Sequence, residues 1–92
     1  KHMILGMMLN KDHNEYISYF KGKINSLTTI DIPNQENAIG RNELKNKLKI
    51  EGLKINSKPS IQEAISSISL KGNEIILITG SLYLAGEVLN LN

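Results

Sequence analysis

Cysteine and tryptophan are both missing from this sequence, and one phenylalanine and three tyrosines make up its whole aromatic content of 4%. Without cysteine there is neither a disulfide framework nor a thiolate metal site, and the chain is expected in a reducing compartment, the cytoplasm. With so few rings, the core must be built from Ile and Leu. A strong charge of one sign is also lacking: 11 Lys and Arg stand against 9 Asp and Glu, for a net charge of +2. The nearest approach to a basic cluster is Lys45, Lys47, Lys49 and Lys54, diluted by Glu43 and Glu51. Mixed charges of this kind read as a solvated helix face, so no nucleic-acid partner is expected. No apolar run approaches the ~20 residues that cross a bilayer, and no signal peptide is visible, so no membrane partner is expected.

Most catalytic signatures are missing too. There is no G-x-x-x-x-G-K-[ST] phosphate loop, no G-x-G-x-x-G after a strand, and no pair of carboxylates at a useful spacing. The two histidines, His2 and His13, have no matching acid or nucleophile nearby in the sequence and are expected at the surface.

What is present is a regular alternation of strand-like and helix-like segments. Met3–Leu9 is a short apolar run that reads as a buried strand. Asp12 with Glu15 three residues on is a capping-box-like helix start, and the helix would turn Tyr16, Ile17, Phe20 and Ile24 inward. Leu27–Ile32 is β-branched and stops at Pro33, giving a second strand, followed by a polar loop over 34–40. A helix over 41–51 would face the core with Leu44 and Leu48 and end at Gly52, with 53–55 as a short edge strand. Ser60-Ile61-Gln62-Glu63 is the clearest helix start, with Ile61, Ala64, Ile65 and Ile68 as its apolar stripe. The four aliphatics Ile75–Ile78 predict a strand covered on both faces, and 82–89 fits a terminal helix. Alternation of this kind specifies one small α/β domain with layered helices, a mainly parallel sheet and right-handed crossovers.

In open parallel sheets, ligands bind at the carboxyl ends of the strands. Two such turns stand out: Asn10-Lys11-Asp12 and Gly80-Ser81. Gly80 would let the backbone bend or a ligand approach, and Ser81 would stand at the amino end of the last helix, either as its cap or facing an anion. For Lys11 and Asp12, a solvated lysine beside a capping aspartate is the simpler account.

Gly80-Ser81-Leu82-Tyr83-Leu84-Ala85-Gly86-Glu87-Val88-Leu89 resembles the carboxyl-terminal signature of the bifunctional dihydrofolate synthase/folylpolyglutamate synthase family of ATP-dependent Mur ligases. Ile4-Leu5-Gly6-Met7-Met8-Leu9-Asn10-Lys11-Asp12 resembles the family's G-M-x-x-x-K-D segment, and Pro59-Ser60 with its helix and the aliphatic strand sits where the family would place it. The Asn34–Gly40 stretch matches the family's Asn-Pro-Arg-Ala-like segment poorly.

The resemblance implies a small three-layer Rossmann-like domain of the Mur ligase carboxyl-terminal type, covering residues 1–92 and missing its first strand-helix unit. It also implies a reaction in which a carboxylate of dihydropteroate or folate is activated with ATP and Mg2+ and joined to incoming L-glutamate through an amide bond. In that family the phosphate loop and metal ligands lie in a larger amino-terminal domain, so this piece alone is expected to be inactive. Gly80, Ser81 and Tyr83 would line the glutamate pocket, and Lys11 and Asp12 would border the nucleotide phosphates. If the missing opening strand is central, the first and last strands here would have exposed edges or a gap between them, and the piece would self-associate. The competing expectation is a non-catalytic α/β module that binds a partner protein or an anion.

Overall fold

The computed structural model describes residues 1–9, 12–33, 35–48, 50, 52–68, 70, 72 and 74–79. Their order is β1 (His2–Leu5), α1 (His13–Ser18), β2 (Ser26–Thr29), α2 (Arg41–Lys47), β3 (Lys54–Ser57), α3 (Ile61–Ser67) and β4 (Ile76–Thr79). The four strands form one parallel sheet in the order β3-β2-β1-β4. The expected small α/β domain with a parallel sheet is therefore what the chain forms.

Alternation along the strands sorts the core onto two faces. Met3, Leu5 and Leu27 pack with Ile17 of α1, with Leu44 of α2 and with Leu48 just beyond it. Ile4 and Ile30 point the other way and pack with Ile61 and Ala64 of α3. The chain steps from β1 to β2 to β3 with its helices on one face, then returns past β1 to β4 with α3 on the opposite face. Reversing both direction and face keeps one hand for all three crossovers, which is how a sheet obeys a fixed crossover handedness.

Helix starts follow their caps. The Asp12 carboxylate accepts the Glu15 amide at 3.0 Å, and the Ser60 hydroxyl accepts the Glu63 amide at 3.2 Å. Helix ends come earlier than the apolar spacing suggests. α2 stops at Lys47 because Leu48 turns extended (ψ 123°) and drops its side chain into the core, and α3 stops at Ser67 before an extended Ile68 (ψ 125°). Seven helical residues rise about 10 Å, a length comparable to that of strands of four residues, which rise about 13 Å. Gly52, at φ 81°, therefore shapes the turn into β3 rather than ending α2. α1 ends at Ser18, so Ile24 reaches the core from the turn beyond it.

Several expectations are corrected. β4 is not an interior strand among the described residues: Ile76, Leu77, Ile78 and Thr79 are all half-buried and Ile75 is 51% exposed, and of the described strands only β1 pairs with it. β1 is not an edge, and no gap separates it from β4; the two pair directly from His2↔Ile76 to Leu5↔Thr79. The described residues of the 34–40 segment form the expected loop, but not a wholly polar one, since Ile39 is fully buried and donates its amide to the Met7 carbonyl at 3.0 Å. Ile65 is exposed rather than part of a buried stripe.

The histidines are not surface residues either. His13 is buried and its Nε2 donates to the Met8 carbonyl at 3.0 Å. His2 is half-buried, with Nδ1 2.7 Å from the Ser26 hydroxyl and Nε2 3.1 Å from the Glu74 carboxylate. The acid and hydroxyl that the sequence order hides are supplied by neighbouring chain segments. Lys45 and Lys47 are exposed on α2, as expected of a solvated face.

Candidate functional site

The strand order reverses between β1 and β4: β1 leads into α1 on one face of the sheet, whereas β4 is reached from α3 on the opposite face. In such sheets this is the position where a crevice opens for a ligand. Immediately beyond β1 comes Gly6, whose amide donates to the Thr79 carbonyl at 3.3 Å and so carries the β1–β4 ladder one residue further. A Cβ at Gly6 would lie 2.9 Å from Cγ1 of Ile32, closer than packed carbons tolerate. The glycine thus permits the chain after β2 to cross beside the end of β1.

From Gly6 the chain runs past Met7 and Met8. Met8 forms an antiparallel bridge with Ala38, and the Leu9 amide donates to the Asn37 carbonyl at 2.7 Å. This pairing anchors the β1–α1 connection to the β2–α2 connection, so the edge of the crevice is backbone held by hydrogen bonds. The β2–α2 side is fixed by Asp31, whose Oδ1 accepts the Arg41 amide at 2.8 Å while its other oxygen pairs with the Arg41 guanidinium. Gly40, at the cap position, has no side chain to do this.

On the α1 side, Asp12 sits at the helix start and Tyr16 one turn on. The Tyr16 phenol is hydrogen-bonded to the Thr79 hydroxyl, tying α1 to the end of β4. Beside this contact, Met7, Asp12, Glu15, Tyr16 and Tyr19 line an open depression of ≈ 210 Å³. The ring of Tyr16 on α1 and that of Phe20 in the turn beyond it lie 5.6 Å apart between centroids and pack against the core.

Of the residues singled out from the sequence, Asp12 lies at this crevice, and its carboxylate is engaged with an amide of its own helix. Lys11, Gly80, Ser81 and Tyr83 lie outside the described residues, as does the expected terminal helix over 82–89. Sequence reasoning missed Tyr16 and Thr79 as a pair and gave Tyr16 only a packing role. No local signal could have joined them, because they are 63 positions apart. Asp31 and Arg41 were missed for a similar reason, although a helix start with glycine at its cap could have prompted a search for an acid upstream.

Among the described residues, no three His, Asp or Glu side chains come together in a way that could hold a metal ion. No family model matches the chain, and no curated protein or solved structure was found to match it.

Proposed function

We propose that this chain is part of the carboxyl-terminal domain of an ATP-dependent folate–glutamate ligase, of the three-layer Rossmann-like Mur ligase type, and that it helps to bind incoming L-glutamate and to close an interdomain cleft. One observation carries this reading. The two stretches that resemble the family, 4–12 and 80–89, are far apart in sequence, yet the first contains β1 and the second follows directly on β4, its neighbour in the sheet. The first leaves the sheet at its carboxyl edge, at the reversal of strand order where ligands of such sheets bind, and the second begins at the residue after Thr79, at the end of the neighbouring strand. That the two stretches adjoin the ends of paired strands supports reading them together.

In this reading Ser81 supplies a hydroxyl to the glutamate pocket, Gly80 allows the ligand to approach the backbone, and Tyr83 lies nearby. The Tyr16–Thr79 bond holds the residue preceding that turn against α1. Asp12 keeps a positioning role: a carboxylate beside phosphates repels them, and this one already caps α1. Any direct contact with nucleotide phosphates from this segment then falls to Lys11. In the family that the chain resembles, the metal ligands and the phosphate cradle lie in the amino-terminal part, and Mg2+ is assigned there. ATP, when bound there, supplies the activation of the folate or pteroate carboxylate.

Two experiments test the reading. The gene encoding the longer protein should carry a G-x-x-x-x-G-K-[ST] loop upstream of this segment; a gene without one defeats it. In the full-length protein, Ser81→Ala should raise the KM for glutamate several-fold more than the KM for ATP, whereas an unchanged glutamate KM removes Ser81 from the pocket.

A further inference from the structure

The two outer strands of the sheet are defended very differently. β3 carries Lys54, Asn56 and Ser57, and is followed at once by Lys58 and the exposed Pro59. Lysine and proline are the residues that keep an edge from pairing with another strand. β4 reads Ile76-Leu77-Ile78-Thr79, preceded by the exposed Ile75, with no charge, proline or glycine among these five residues. Among the described residues, no strand lies on its far side.

The phase of the β1–β4 ladder decides which groups face outward. The His2 amide donates to the Ile75 carbonyl at 2.9 Å, and the Gly6 amide to the Thr79 carbonyl at 3.3 Å. In a parallel ladder the bonding residues alternate, so Ile75, Leu77 and Thr79 bond to β1, while the N–H and C=O of Ile76 and Ile78 point away from it.

Two donors and two acceptors are thus presented on an aliphatic strand, spaced two residues apart. That pattern is self-complementary. If two copies meet antiparallel about a two-fold axis at Leu77, Ile76 of each faces Ile78 of the other. Both residues lie in hydrogen-bonded positions, and four N–H···O=C bonds form. The half-buried Ile76 and Ile78 side chains, which pack toward α3, then stand beside their counterparts as aliphatic cross-strand pairs. A net charge of only +2 offers little repulsion to the approach.

We propose that β4 is a self-pairing edge: two copies of this chain associate through antiparallel β4–β4 pairing, with Ile76 and Ile78 as the hydrogen-bonding residues. A four-residue strand is far smaller than an interface of about 800 Å² per partner, so the association is weak and reversible, in the high-micromolar to millimolar range. The inference is independent of the ligase reading, since it uses only the sheet edge.

The test is amide hydrogen exchange by NMR on the 92-residue chain, together with light scattering, from about 20 µM to about 1 mM, a range over which mass action shifts a weak dimer. Ile76 and Ile78 amides should gain at least about tenfold protection with concentration while Leu77 and Thr79 stay protected throughout, and the scattering mass should rise in parallel. Ile75→Lys places a charge at an exposed position on this edge; it should keep the secondary-structure spectrum and abolish the concentration dependence. Ile76 and Ile78 amides unprotected at every concentration overturn the proposal. So does protection at every dilution in a monomer, which would mean that the chain's own residues 80–92 cover the edge. A dimer that survives Ile75→Lys with unchanged affinity also overturns it.

Discussion

Tyr16 and Thr79 are joined by a hydrogen bond between their hydroxyls, which fastens the second turn of α1 to the last described residue of β4. The contact closes a circuit: β1 leads into α1, α1 is held to β4, and β4 pairs back with β1. Any ligand entering the crevice at the reversal of strand order meets a wall whose two halves are already joined.

Removing either hydroxyl should loosen that wall without unfolding the chain. Tyr16→Phe and Thr79→Val should each cost about 1 kcal/mol, the usual net worth of one such bond. A double-mutant cycle by urea denaturation should return a coupling of about 0.5–1.5 kcal/mol. Additive effects would mean that the pair contributes no stability.

Asp31 does two jobs for one residue, accepting the Arg41 amide and pairing with its guanidinium. The ion pair is about one-third exposed on each side, 34% and 40%, and so contributes little on its own. The amide bond stands in for the missing cap side chain at Gly40. Asp31→Ala should therefore cost about 1–2 kcal/mol, while Asp31→Asn, which keeps an acceptor for the amide, should recover most of it. Equal losses in both variants, measured by thermal or urea unfolding, would assign the stabilisation to the charge instead.

Gly6→Ala should be destabilising by about 1–3 kcal/mol through overpacking, because the added carbon would meet Ile32 Cγ1 at 2.9 Å. The double change Gly6→Ala with Ile32→Val, which shortens the opposing side chain, should restore part of the loss. No recovery in the double variant would place the cost in the backbone rather than in this contact.

Burial separates two helix positions that look alike in the sequence. Leu44 is fully buried between α2 and the sheet, whereas Ile65 on α3 is 36% exposed. Leu44→Ala should cost about 2–5 kcal/mol, a large part of the stability of a domain this size. Ile65→Ala should fall below about 1 kcal/mol, the range of partly exposed sites. Denaturation midpoints of the two variants check the contrast directly.

The order and kind of the described elements were legible in the sequence because they rest on local chemistry. Asp12 and Ser60 carry oxygens that reach the amide three residues on, and both cap helices as their spacing implies. Met3, Ile4 and Leu5 are apolar whichever face each one meets, so a buried strand could be read before its neighbours were known. Element ends were less legible, since Leu48 and Ile68 fit a helical stripe equally well and yet take extended backbone angles past the helix end.

What only the tertiary structure decided are the relations between residues distant along the chain: that β1 and β4 are neighbours, that His2 finds Ser26 and Glu74, that Tyr16 finds Thr79, and that among the described strands β4 lies outermost while β1 does not. Strand order follows from how the crossovers pack, and the same aliphatic run Ile75–Ile78 satisfies an interior strand or an outer one. The sequence by itself determined which segments are strands and helices, through propensity, capping and spacing. The fold decided which of their ends come together, because backbone hydrogen bonds across a sheet carry no trace in the residues that make them.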